Sequence, residues 1–194
     1  MIMISLIIDC STKVMFIGLG KKKEIIASRF RISNKDHSKF LINKIKDMFQ
    51  ESEYSAKDIK QVIVGFGPGS YTGSRIACTV GKTIAFTLGI PLFRINSISL
   101  LSSGYDENVI ALIKKKEEEY YYLIDSEEVI NPTPRHGKLN KIREKVKPKT
   151  KITILDHETI KINLKKVLKL MKKVKDIHSF EPIYLEEKNY KRKI

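Results

Sequence analysis

Asp9 is the first side chain along this sequence from which a catalytic centre could be built. It ends the largely apolar run Met3 to Ile8 and is followed by Ser11 and Thr12, an arrangement in which a carboxylate can hold a metal ion beside a bound phosphate. A phosphate loop needs glycines after the acid so that backbone amides reach the oxygens, and Cys10-Ser11-Thr12-Lys13 has none. The residues therefore predict a tight turn hydrogen-bonded by Asp9 and Ser11. The four histidines, His37, His136, His157 and His178, stand in no HxxxH or HExxH spacing, so no helix face offers two imidazoles to a metal. Ser70 is flanked two residues away by Pro68 and Thr72, which excludes a GxSxG nucleophile elbow. Cys10 and Cys78 form no CxxC pair, so neither a disulfide framework nor a zinc cluster is expected, in keeping with a reducing compartment. Gly81-Lys82-Thr83 imitates the end of a P-loop, but Ile76 stands where that loop needs glycine. Gly65-x-Gly67-x-Gly69 is not the dinucleotide fingerprint, and Ser97 to Ser103, where its acid would follow, carries no charge. No catalytic residue, cofactor site or metal site is expected from these residues.

What positions such groups is the stretch Val62 to Leu92. It predicts a buried strand to Gly65, a glycine-dense turn to Gly73, a helix to Leu88, and a Gly89/Pro91 stop before another strand. Ser70 or Thr72 can cap the helix start, whose free N–H groups can also hold an anion. Gly73, Ala77, Gly81 and Ala85 recur every four residues and make a stripe with almost no side chain. Ile76, Val80, Ile84 and Leu88 make a second apolar stripe, and Phe86 adds a ring between Lys82 and Thr79. The pattern predicts a helix buried nearly all round: either a central core helix, or one held between its own sheet and a partner chain. Interior glycine costs roughly 1 kcal/mol against alanine and asks for a packing reason.

The run GFGPGSYTGSRIACTVGKTIAFTLGIPLFRINSISLLS closely resembles the signature of the TsaB family, which typically reads GPGSFTGLRIG, then a small-residue helix ending in LGIP and a serine-led short helix. Ile8-Asp9-Cys10-Ser11-Thr12 matches the family's IDTST, His37-Ser38 its first helix start, and Pro182-Ile183-Tyr184-Leu185 a late motif. The resemblance covers about the first hundred residues well. It implies an α/β, actin-like ATPase (ribonuclease H-like) fold in two lobes, each with a mixed sheet and helices, the second reduced. It also implies a non-catalytic scaffold subunit that pairs with TsaD, with TsaE as a further partner and TsaC supplying threonylcarbamoyl-AMP, in forming threonylcarbamoyladenosine beside the tRNA anticodon. In the family the first two helices build the pairing surface, here His37 to Glu51 and Gly73 to Leu88. By that resemblance the interface residues are Gly69, Ser70, Tyr71, Thr72, Gly73, Arg75, Ile76, Ala77, Val80, Gly81 and Ile84, with Phe40, Leu41 and Ile45 from the first helix. Arg75 either meets a partner carboxylate or anchors the Gly67 to Gly73 turn. Contact with tRNA would be indirect, and a homodimer is open for the chain alone. The alternatives are a nucleotide-hydrolysing or peptidase-type enzyme of the same superfamily, and an autonomous tRNA-binding module.

The rest of the chain is read from pattern. Met3 to Asp9, Lys13 to Leu19 and Glu24 to Phe30 form an antiparallel meander. Asp36 or Ser33 caps the helix His37 to Glu51, which has Leu41, Ile45, Met48 and Phe49 on one face. Three strands, helix, strand, helix, strand is also the element order of an actin-like half-domain. That defines lobes at 1–103 and 104–194. In the second, Val109 to Ile113, Tyr120 to Ile124, Glu128 to Ile130 and Lys151 to Leu155 read as strands. Asn131 to Gly137 is a loop, Lys138 to Val146 a helix, and Thr159 to Val174 a basic amphipathic helix. Tyr120, Tyr121 and Tyr122 alternate faces. The net charge of +15 is lysine-dominated, and Lys138 to Lys175 holds 14 basic against 3 acidic residues. That segment is either a solvated face or an RNA-facing patch, although no aromatic residue interleaves its lysines to stack bases. No segment reaches the roughly twenty apolar residues of a membrane span, and Met1 to Ile8 lacks the form of a leader, so a cytoplasmic protein without a membrane role is expected.

Overall fold

Strands whose residues are apolar without alternation can only sit inside a sheet covered on both faces. Strand β1 (Ile4–Asp9) is buried at every residue, and β4 (Ile59–Gly65) at all but Lys60. They lie side by side and parallel at the centre of a six-stranded sheet in the computed structural model, which describes residues 3–34, 36–105, 109–123 and 134–185. β2 (Val14–Lys21) and β3 (Glu24–Ile32) extend the sheet antiparallel on one side, and β5 (Leu92–Ile95) extends it parallel on the other. The order is β10-β5-β4-β1-β2-β3, β10 being Lys172–Lys173.

Alternate residues of the central strands face two cores. Leu6, Ile8, Val62 and Val64 lie under helices α1 (His37–Gln50) and α2 (Tyr71–Leu88), with Leu41, Ile45, Met48 and Ala77 above them. Ile7, Ile63 and Phe16 face the opposite core, closed by α3 (Ser97–Leu101), α5 (Leu164–Leu170) and the second lobe. A four-stranded sheet in the order β8-β7-β6-β9 forms that lobe, from β6 (Val109–Lys116), β7 (Glu119–Tyr122), β8 (Arg135–Lys138) and β9 (Lys151–Ile154). Tyr121 faces the shared core, while Tyr122 and Tyr120 lie under Ile142 of α4 (Leu139–Glu144), as alternation requires.

Several expectations are corrected. The basic helix expected over Thr159 to Val174 is confined to Leu164–Leu170. Asp156 and Thr159 close a hydrogen-bonded turn first, and Asn163 Oδ1 then caps the helix by accepting from Lys166 N at 3.2 Å. It stops at Met171 because the next two residues pair antiparallel with the edge of β5, a tertiary contact overriding local propensity. Arg135 to Gly137, expected within a loop, belongs to strand β8, which pairs with β7. The strand expected over Glu128 to Ile130 lies outside the described residues. The helix cap expected from the Asp36 side chain is not formed. Its carboxylate takes Arg31 Nη1 and Nη2 at 2.7 and 2.6 Å and Ser33 Oγ at 2.7 Å, bonds that hold its pKa well below the usual carboxylate range. Residues 172–185, counted with the second lobe from sequence, return to the first. Phe180 enters the core beneath α1 and α2, and Ile183 N donates to Phe66 O at 2.8 Å.

Candidate functional site

Both long helices begin against one turn. Ser70, whose Oγ caps α2 by accepting from Gly73 N at 3.2 Å, donates its own N–H to Ser11 O at 2.6 Å. His37, the first residue of α1, sets Nε2 3.0 Å from Thr12 O. A backbone carbonyl can only accept, so the ring carries a proton on Nε2, and burial lowers the His37 pKa. The Cys10 to Thr12 turn is thus gripped from both sides, which fixes how α1 and α2 sit over the sheet.

Asp9 lies under this elbow with no exposure. Its Oδ1 accepts from Ser11 N at 2.8 Å and Ser11 Oγ at 2.7 Å, the turn that the residue pattern predicts. Oδ2 has no well-aligned donor among the described residues, and the Ser97 hydroxyl stabilises the carboxylate only in part. Burial therefore raises the Asp9 pKa to about 6, against the opposing pull of Ser97 and Ser11. Burial likewise pushes Cys78 up to about 12 and Cys10 well above its ordinary value. The space over Asp9 is filled by the chain itself. A Cβ at Gly65 would collide with Asp9 Oδ2, one at Gly69 with Ser11 O, and one at Gly73 with Cys10 O. Among the described residues no group of three His, Cys, Asp or Glu is placed to share a metal ion, and no helix is long and apolar enough to cross a membrane.

The small-residue stripe of α2 faces inward. Gly73, Ala77, Gly81 and Ala85 are all buried, and a Cβ on Gly81 would collide with Val64 Cγ2 of β4. This corrects the expectation that the stripe receives a partner: it lets the helix lie close on its own sheet. Leu41 (0% exposed) and Ile45 (7%) are likewise core residues that offer no surface, and the half-buried Gly69 packs on Ser11. The expected burial nearly all round is also corrected, since Thr72, Thr79, Thr83 and Thr87 are exposed and Phe86 is 63% exposed. Ile76, Val80, Ile84 and Phe40 are half-buried, and Tyr71 and Arg75 are exposed. From the expected interface set, these six and Thr72 remain accessible, with Ser70 at the rim.

One flank of α2 belongs to a segment absent from the expected site. Residues 174–185 run antiparallel alongside it as a strap. His178 packs edge-on against Phe86 at 5.3 Å between ring centroids and accepts from Lys82 Nζ through its carbonyl at 3.2 Å. Tyr184 packs against Tyr71 at 4.8 Å, and its Oη accepts from Arg75 Nε at 2.9 Å. Arg75 thus anchors the strap. The spacing 71, 75, 82, 86 on α2 is one helical stripe, and Pro182 to Leu185 is the late motif noted in sequence; no sequence signal joined the two, because they are a hundred residues apart.

Comparison with known proteins agrees with this architecture. Residues 24–128 match the family model described as TsaD: tRNA N6-adenosine threonylcarbamoyltransferase. The tRNA threonylcarbamoyladenosine biosynthesis protein TsaB of Bacillus subtilis is 32% identical over 98 residues, 50% of this chain and 43% of that protein. The protein of the same name from Buchnera aphidicola subsp. Schizaphis graminum is 31% identical over 99 residues, 51% of this chain and 47% of its own. The matched stretch thus spans less than half the length of these relatives. YeaZ from Pseudomonas aeruginosa superposes with a TM-score of 0.68 over 94% of this chain and all of its own, at 19% identity, a likeness of fold. The fold is the actin-like, ribonuclease H-like ATPase fold, and the chain belongs to the TsaD-like family in its TsaB branch.

Proposed function

We propose that this chain is a non-catalytic, cytoplasmic scaffold subunit that pairs with TsaD, and is joined by TsaE, in forming threonylcarbamoyladenosine beside the tRNA anticodon. The observation that carries this is the closed elbow. Where an ATPase of this fold would hold phosphates and metal, backbone from Gly65, Gly69 and Gly73 lies on Asp9, Cys10 and Ser11, and Asp9 has no exposure. A chain built this way has no cofactor or metal of its own and contributes surface. That surface is the outer face of α2, where Thr72, Thr79 and Thr83 flank the half-buried Ile76 and Val80. Contact with tRNA then comes through the complex.

The test is co-expression with TsaD of the same organism, followed by pull-down. Wild type is expected to co-purify, and Thr79→Arg, on the exposed face, to fold normally and be lost from the complex. Equal recovery of both would reject this face. Calorimetric titration of the pure chain with Mg-ATP addresses the enzyme alternative, and micromolar binding would overturn the scaffold assignment.

A further inference from the structure

We infer that Arg75 is the charge-reading contact of the proposed interface, a guanidinium preset to receive an aspartate or glutamate carboxylate of the partner subunit. This rests on the pairing proposed above. Arg75 Nε is engaged by Tyr184 Oη at 2.9 Å, and the guanidinium lies 4.6 Å from the Tyr71 ring centroid and 6.0 Å from that of Tyr184. The two terminal nitrogens have no acceptor among the described residues, and the side chain is exposed. A guanidinium already held by one hydrogen bond and two rings loses little further freedom on docking, and its free edge matches a carboxylate in paired geometry. Arginine flanked by tyrosines is also the composition that dominates binding hot spots.

Two features select a foreign protein carboxylate. A polynucleotide backbone needs several cations in a row. Helix α2 carries only Arg75 and Lys82, and Lys82 is committed to His178 O. The two long helices of a second copy offer no unpaired acid. α2 has no acidic residue, and on α1 and its borders Asp36 is paired with Arg31, Asp47 with Lys44 and Glu51 with Arg29.

The test is calorimetric titration of the full chain with the TsaD subunit at low and moderate salt, for wild type, Arg75→Ala, Arg75→Lys and Tyr184→Phe, with thermal midpoints as a folding control. Arg75→Ala is expected to weaken binding about ten- to a hundredfold and to remove most of its salt dependence. Arg75→Lys should keep part of the salt dependence but recover little affinity. Tyr184→Phe, which keeps the ring and removes the acceptor that positions Arg75, should weaken binding about threefold. Wild-type affinity and salt dependence retained in both Arg75 variants would overturn this inference and leave the pairing standing, whereas no wild-type binding would overturn the pairing itself. Loss of tRNA binding or of self-association in Arg75→Ala, with TsaD binding unchanged, would overturn it in favour of a phosphate or a second copy.

Discussion

The inner and outer faces of α2 are built to opposite rules. The inner face is Gly73, Ala77, Gly81 and Ala85, set so close to β1 and β4 that a single added carbon at Gly73 or Gly81 meets Cys10 O or Val64 Cγ2. The outer face is Thr72, Thr79, Thr83 and Thr87, short polar side chains in solvent between the strap on one flank and α1 on the other. A row of small residues therefore announces close approach without saying of what. Here the thing approached is the chain's own sheet, and the face turned to solvent is the one whose residues look unremarkable in sequence.

That contrast can be broken from the inside first. Gly81→Leu should destabilise the fold by about 3 kcal/mol or more, at or beyond the usual range for overpacking, because the leucine has Val64 directly in its way. Urea titration followed by circular dichroism measures it, and a well-folded Gly81→Leu chain would place the stripe at the surface after all.

Asp9 sharpens the comparison through pH. Its folded pKa of about 6 lies above the ordinary 3.8, so the folded state keeps a proton that the unfolded state has lost. Its contribution is fully present below about pH 4 and is lost as pH rises through about 6, amounting to about 3 kcal/mol from the size of the shift. Subtracting the pH–stability curve of Asp9→Asn from that of wild type isolates this slope from the carboxylates whose pKa values are lowered, such as Asp36 and Asp58. A difference flat from pH 4 to 7 would mean that solvent reaches the elbow.

Smaller effects belong to the helix start and the outer face. Ser70→Ala removes the cap on Gly73 N and should cost about 1 kcal/mol in thermal unfolding. Thr83→Ala, fully on the outer face, should change stability by less than about 0.5 kcal/mol, and a larger loss would reveal an intrachain role for that face.

The first lobe was legible because its signals are local. Largely apolar runs mark β1 and β4, Ser70 marks the helix start, and Gly89, in the left-handed conformation with φ of 62°, marks its end. The same locality misassigned what depends on distant contacts. Nothing near Lys172 signals that it pairs with Arg94, and nothing near Tyr184 points to Arg75. The orientation of the glycine stripe was ambiguous for the same reason, since spacing gives the face of a helix but not its neighbour.

The returning strap has a consequence for the order in which the protein can be made. Phe180, with Val174 and Ile177 packed beside it, completes a core otherwise contributed by residues 4–92, so a nascent chain that has just finished α3 still lacks the edge strand against β5 and the cover along α2. The core under α2 thus stays unsealed until residues 172–185 have been made, and until then Tyr71, Arg75 and Phe86 lack the strap that packs on them.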